Sequence, residues 1–324
     1  MIGAEGLCDY DPIALKSDYK YLSKLGSGAF GSVHLAVGPG RQKVVIKEIC
    51  AESLDDSDFI CISGLRVPKE IQILHRLKGY RYDVVHMIKW FIYDEMRKDK
   101  SGHIEFDEHD QMVFDDVYVI VFEWDECIEM DLYDYIRKKG ILSEKESKFI
   151  IGQLIRIWNV IRERERIIFR DNKDQNILLR IKDKKVIGVT ICDVGGSFSL
   201  DDIPPFSWQQ GTAVWNSPQW FQGNRYNWMY DYAWVIGVFI YAMLTDRLPF
   251  DDDKFPKKIP KGKRFLMLQE LILSKEPVYP RHMSRACVNL IKLCLKKNEE
   301  DRICFTDIEA HAWFCSEEEE VEII

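Results

Sequence analysis

The stretch FRDNKDQNILL, residues 169–179, holds Asp171, Lys173, Asp174 and Asn176 between an apolar Phe169 and the apolar run 177–179. Burying that many polar groups is unfavourable unless each finds a partner. The stretch reads either as a loop presenting chemistry at the mouth of a core or as a surface turn with ordinary charges. Three further clusters have residue types suited to phosphate and metal chemistry. Gly26, Gly28 and Gly31 in GSGAFGSV lie between two expected strands, and glycine lets backbone N–H groups approach phosphates closely. A plain hairpin turn is the alternative. A strand rather than a helix follows these glycines, so they are not a dinucleotide fingerprint, and the GK[ST] ending of a Walker loop is missing. Lys47 in VVIK has apolar neighbours, and a buried lysine is rare without a partner. Glu70 in PKEIQIL is the candidate partner; a strand-edge lysine reaching solvent is the alternative. Asp193 closes the apolar run ICDV ahead of two glycines, a setting that suits a divalent cation, although DxG is frequent by chance.

The elements that must position these groups change character along the chain. Residues 19–50 alternate in the strand manner and are cut by glycine clusters, which predicts three antiparallel strands with tight turns. Helical spacing of Ile71, Leu74 and Leu77 predicts a helix over 65–79, with Pro68 tolerated in its first turn. Two more strands are expected at 85–93 and 117–124, separated by a charged, mostly acidic insertion at 94–116. Beyond about residue 125 helices dominate. Ser143 with Glu146 three residues on is a capping-box signature, and Ile150, Leu154, Ile157 and Ile161 fall on one face. Two short strands, NILLRI and VIGVTICDV, come next, then helices at 228–244, 264–274, 283–296 and 306–314. The run 232–244, apolar on all faces, reads as a buried central helix. A β-rich lobe, a short linker and a larger helical lobe are expected, and ligands often bind at such domain interfaces.

The bulk numbers exclude several classes. With 324 residues, 46% hydrophobic and 30% charged, a sizeable core is expected rather than disorder. A net charge of −8 argues against non-specific nucleic-acid binding. The longest apolar run is well short of the ~20 residues that span a membrane. The nine cysteines stand singly with no CxxC pair, which removes the usual zinc spacing and points to reduced core residues in a reducing compartment. The first dozen residues show neither a basic region nor an apolar stretch, so no secretory signal is expected.

Glycine-rich turn, strand lysine, helix glutamate, RDxKxxN and DxG follow one another in the order and spacing of protein kinases. The chain resembles that superfamily over roughly residues 19–315. GTAVWNSPQW is similar to the end of an activation segment, with Thr212. DYAWVIGVFIYAMLTDRLPF is similar to the central helix, with Asp231 at its start, and EEDRICFTDIEAHAWF to the last helical motif. LRVPKE, DLYDYI and RDNKDQNILL most resemble the PIM-like branch of serine/threonine kinases. The resemblance implies an α+β bilobal fold, with a small antiparallel sheet lobe carrying one helix and a larger, mainly helical lobe. The expected boundaries are an N-terminal extension at 1–18, lobes at 19–123 and 124–315, and an acidic tail at 316–324. It implies ATP and Mg²⁺ as cofactors, protein substrates with Ser or Thr acceptors, a monomer without nucleic-acid or membrane partners, and a cytoplasmic or nuclear location. Asp171 would accept or orient the hydroxyl proton, Lys173 would neutralise the transferred phosphoryl group, and Asn176 with Asp193 would hold Mg²⁺. Gly26, Gly28, Gly31, Val33, Val45, Lys47 held by Glu70, the gatekeeper Phe122 and the hinge Glu123 would line the ATP site.

The chain also departs from the pattern. Phe169 replaces the usual His and Val194 the usual Phe, which reads as volume compensation or as two drifts in a decaying kinase. Gln219 stands where the family has a Glu paired with an Arg, here Arg302, which puts activation-segment stability in question. Val45 replaces a small Ala. A pseudokinase, a binding or scaffold module keeping the fold, is therefore the alternative to an active enzyme. Asp201 and Asp202, or a phosphate on Ser197 or Ser199, are expected to pair with Arg170. Glu129, Asp131, Asp134 and Asp174 would face a peptide groove and attract basic substrates; Gln175, where the branch usually has another acid, would weaken that preference. The basic stretch 254–265 reads as a solvated loop.

Overall fold

Alternating apolar residues and glycine turns build the first sheet as the sequence predicts. The computed structural model describes residues 10–315 apart from 12–13, 15, 29–30, 63, 98–100, 102, 107–110, 202–210, 224–226 and 251–259. The acidic tail, Asp202 and the 254–259 part of the basic stretch lie outside the described residues. The chain divides into two units, Met1–Glu126 and Cys127–Ile324.

In the N-terminal unit the strands β1 (Lys20–Gly28), β2 (Gly31–Val37) and β3 (Lys43–Cys50) come first, then β4 (Phe59–Ile62), β5 (Leu65–Pro68) and helix α1 (Lys69–Arg76). Strands β6 (Met87–Met96) and β7 (Phe114–Glu123) complete a five-stranded sheet of order β1-β2-β3-β7-β6. All its ladders are antiparallel. Ile46, Phe91, Val119 and Val121 pack on one another in its core. The structure corrects the helix expected at 65–79. Residues 65–68 pair with β4, Phe59 opposite Pro68 and Ile60 opposite Val67, and the helix starts only at Lys69 with Pro68 as its N-cap. Proline fixes its own φ without supplying an N–H, so it suits this boundary. The 94–116 insertion is also partly strand, because β6 runs to Met96 and β7 starts at Phe114.

The C-terminal unit opens with β8 (Ile128–Asp131), α2 (Leu132–Lys139) and α3 (Glu144–Glu165), followed by the short β9 (Ile167–Ile168). Strands β10 (Ile177–Lys182) and β11 (Lys185–Ile191) join β8 in a three-stranded sheet, and β12 (Phe198–Ser199) pairs with β9. Helices α4 (Pro218–Gln222), α5 (Trp228–Thr245), α6 (Lys261–Ser274), α7 (Arg285–Cys294) and α8 (Ala312–Cys315) follow. The helix expected at 306–314 is a 3₁₀ turn at Phe305–Asp307 and the single turn α8. Every residue of α5 from Tyr232 to Leu244 is buried, as an all-apolar helix demands. Ser143 caps α3 by accepting from the Glu146 N–H, but the reciprocal half of the capping box is absent: the Glu146 carboxylate takes the Tyr135 hydroxyl and Lys139 instead. Glu144, two residues earlier, accepts from the N–H and hydroxyl of Ser284 and from the Trp313 indole, at 2.7, 2.9 and 2.7 Å. One carboxylate thus ties the starts of α3 and α7 to α8. No described helix is long and apolar enough to cross a membrane.

Candidate active site

In the N-terminal unit, Lys47 leaves β3 among buried strand residues and meets Glu70 of α1. Its Nζ donates to both carboxylate oxygens, at 2.7 and 2.8 Å, with the side chains 13% and 8% exposed. The solvent-reaching alternative is thereby excluded. Both charges are largely withdrawn from water, so neither is tolerable alone. Val33 lies opposite Lys47 in the β2–β3 ladder, and Val45 opposite Phe122 in β3–β7. Phe122 is buried. Glu123 ion-pairs with Arg81, and its N–H donates to the His86 carbonyl at 2.9 Å. The three glycines differ. A Cβ on Gly31 would come within 1.7 Å of the Glu48 carbonyl oxygen, so glycine there is required by the backbone itself; around Gly26 and Gly28 the space is open.

In the C-terminal unit the polar loop of residues 169–179 finds the partners that burial requires. Asp171 accepts from Lys173 Nζ at 2.7 Å through one oxygen and from the Thr212 hydroxyl at 2.9 Å through the other. Lys173 also reaches the Thr212 hydroxyl at 3.3 Å, closing a triangle across 41 residues of sequence. The Asn176 amide donates to the Asp171 carbonyl at 2.8 Å and to its carboxylate at 3.2 Å. Asn172 folds back on the Phe169 carbonyl, and the Phe169 N–H donates to the buried Tyr232 hydroxyl at 2.9 Å. Tyr232 was not singled out as a site residue; its place next to Asp231 in DYAW was the available signal. Gly211, at φ +104°, leads into Thr212, and a Cβ there would crowd the Asn216 side chain. That close approach delivers Thr212 to Asp171.

With its amide N–H group committed, Asn176 keeps its side-chain oxygen as an acceptor. The Cys192 N–H donates to the Asn176 carbonyl at 3.0 Å, which places Asp193 one residue beyond. Asp193 itself adopts φ +56°. An amide and a carboxylate oxygen at one strand end are the hard donors that Mg²⁺ takes, so these residues fit that ion.

The sequence profile described as Protein kinase domain matches residues 19–314. The chain belongs to the protein kinase family. It is 28% identical over 306 residues to the serine/threonine-protein kinase pim-2 of Danio rerio, covering 92% of this chain and 85% of that protein. It is 30% identical over 301 residues to the carbon catabolite-derepressing protein kinase of Candida tropicalis, covering 91% of this chain and 41% of that protein. With the sucrose non-fermenting protein kinase 1 of Fusarium virguliforme it shares 29% identity over 303 residues, or 36% of that protein's length. The chain thus spans most of the pim-2 relative and well under half of the other two. It is a protein serine/threonine kinase, and its antiparallel-sheet and helical units are those of the kinase fold.

Measured against that family, the departures settle into specific places. Phe169 and Val194 are both buried, at 3% and 0% exposure. Gln219 keeps its link to Arg302, which donates to the Gln219 amide oxygen at 2.7 Å. The guanidinium also reaches the carbonyls of Lys296 and Tyr230, and the Gln219 amide donates to the Lys297 carbonyl at 2.8 Å. Asp231, bonded by the Ser217 hydroxyl, supplies negative charge beside Arg302; burial pushes Asp231 up to about 6 and Arg302 down to about 10. The expected pairing of Asp201 with Arg170 is not what the structure shows. Asp201 takes Arg166, which ends α3 in the left-handed region, while Arg170 lies 5.8 Å from the Phe198 ring. Pairing of β12 with β9 turns Asp201 toward the end of α3.

Lys297 beside this cluster has no signal in the sequence. Its ammonium is buried 3.8 Å from the Phe250 ring centroid and 5.3 Å from that of Trp234, and no hydrogen-bond acceptor reaches it among the described residues. Burial pushes its pKa down to about 8. A folded-state pKa below the unfolded one means that the fold disfavours the ammonium, and the resulting penalty is full below pH 8 and relieved as pH rises toward 10.5. An unpaired buried polar group costs ~1–3 kcal/mol, of which a cation–π contact returns ~0.5–2 kcal/mol. Lys297→Met is therefore expected to melt a few degrees higher than the wild type at pH 7, with the difference closing by pH 10. An equal or lower melting temperature for the variant at pH 7 would contradict this account.

Proposed function

We propose that the chain transfers the γ-phosphoryl group of ATP to serine or threonine hydroxyls of proteins with basic residues near the acceptor. The observation that carries this reading is the bonded triangle of Asp171, Lys173 and Thr212 with Asn176 beneath it. Asp171 orients the acceptor hydroxyl and takes its proton. Lys173 places positive charge where the phosphoryl oxygens pass. Thr212 holds both in register, and Lys47, fixed by Glu70, grips the inner phosphates. Asn176 and Asp193 would hold Mg²⁺, which when bound would neutralise charge on the phosphate oxygens. Such chemistry is chiefly positioning and electrostatic stabilisation.

Four acids support the basic preference, in unequal ways. Glu129 and Asp134 are exposed. The Asp131 carboxylate caps α2, accepting from the Asp134 N–H at 2.8 Å. Burial pushes Asp174 up to about 6, with the Asp131 charge acting in the same direction. Asp174 is thus charged above about pH 6 and neutral below it. The KM for a peptide with upstream arginine should fall several-fold between pH 5.5 and 7, and Asp174→Asn should remove that step. Arginine-bearing peptides should be phosphorylated better than acidic ones, and added salt should narrow the gap. A peptide-array profile favouring Asp or Glu around the acceptor would overturn the basic preference while leaving the kinase assignment intact.

A further inference from the structure

Five large apolar side chains are exposed together at the outer end of the β6–β7 hairpin: Met96 (42%), Ile104 (38%), Phe106 (54%), Met112 (50%) and Phe114 (52%). The pairing puts them on one face. Met96 is opposite Phe114 and Phe106 opposite Met112, and residues two apart in a strand share a face. The other face is charged and closed. Arg97 ion-pairs there with Glu52, Glu105 and Asp115. Backbone bonds from Arg97 to Val113, Glu105 to Arg97 and Val113 to Glu105, at 2.8, 3.0 and 3.0 Å, hold the three segments together. The apolar face is therefore presented by a bonded scaffold.

One step nearer the main sheet, on the same face, Asp94 is directly opposite Asp116, and both are exposed. Like charges so placed destabilise a ladder. Burial, and then the Asp94 charge, push Asp116 up. Across residues 94–116 there are nine acidic and three basic residues. A cation brought to Asp94 and Asp116 relieves their repulsion, while apolar side chains cover the patch beside them.

We propose that this face docks an extended segment of a partner protein that carries two or more large apolar side chains with Lys or Arg beside them. Charge complementarity selects that occupant over an acidic segment. It also disfavours a second copy of this chain, because an isologous contact would bring two acidic rims together. The surface lies wholly within the N-terminal unit and uses none of the residues assigned to phosphoryl transfer, so it binds whether or not the catalytic reading holds.

The test measures fluorescence anisotropy with labelled peptides free of Ser, Thr and Tyr. One set has two Phe two residues apart with flanking Lys, a second replaces the Lys by Glu, and a third replaces the Phe by Ala. The Lys-flanked set should bind at least tenfold more tightly than the other two. Phe106→Ser with Phe114→Ser should abolish binding without lowering the melting temperature, and Asp94→Asn with Asp116→Asn should reduce the Lys-over-Glu preference several-fold. No binding by any set, or binding indifferent to both pairs of substitutions, overturns the proposal. So does a dimer in sedimentation velocity that Phe106→Ser with Phe114→Ser dissolves, since the occupant is then a second copy.

Discussion

Asp171→Asn lowers the turnover number for peptide phosphorylation by about 10²–10⁴-fold, the range for loss of a positioned proton acceptor, with little change in KM. Two effects add. The amide is a far weaker base than the carboxylate. It also turns an N–H group toward Lys173 or Thr212, each of which now donates to Asp171, so one leg of the triangle opens and an unmet donor remains. The change is local, since Asn176 still donates to the backbone carbonyl of residue 171, and the melting temperature should move little. Radiolabelled phosphoryl transfer to an arginine-bearing peptide measures the rate. Equal activity of Asp171→Asn and wild type would mean that the observed transfer is not catalysed here and would restore the pseudokinase reading.

Arg302→Met costs about 3–5 kcal/mol of stability, the range for removing one partner of a buried ionic group. Arg302 is 3% exposed and donates to Gln219 and to the carbonyls of Lys296 and Tyr230. Methionine fills a similar volume but leaves those acceptors unmet and Asp231 without its neighbouring cation. With a sensitivity of about 2–4 °C per kcal/mol, thermal denaturation should show a drop of roughly 6–20 °C. Arg302→Lys should recover only part of it, because an ammonium cannot reproduce the fork that serves Gln219 and two carbonyls at once. A drop under 2 °C for Arg302→Met would show that the cluster is not an anchor of α4. The same geometry explains why Gln219 is compatible with the fold: its amide uses both ends, oxygen toward Arg302 and nitrogen toward the Lys297 carbonyl, whereas a carboxylate would face that carbonyl with no proton to give.

Much of this site is legible in the sequence. The polar residues of the 169–179 loop stand so close in sequence that only a surface turn or a chemical loop could hold them, and the apolar neighbours of Lys47 made Glu70 its candidate partner, although only the structure excluded a strand-edge lysine reaching solvent. Where reading failed, the deciding partner was distant. Residues 65–68 have helix-compatible spacing with 71–77, and only pairing with Phe59–Ile62 made them a strand. Glu146 follows the capping-box rule by position, but Tyr135 and Lys139 of the preceding helix took its carboxylate. Asp201 was expected at Arg170, but just beyond the β12–β9 pair it takes Arg166 instead.

The sequence by itself determined the family, the order of the elements and the identity of the groups suited to phosphate, metal and proton, because those depend on residue type and short spacing. The tertiary structure alone decided that Thr212 closes on Asp171 and Lys173, that Gln219 keeps Arg302, that the Lys297 ammonium is buried against Phe250, and that Met96, Ile104, Phe106, Met112 and Phe114 share one exposed face. Each of these joins residues far apart in the chain or strands whose register fixes which side chains share a face, and a hydrogen bond or an apolar contact is set by distance in space, on which separation along the chain puts almost no constraint.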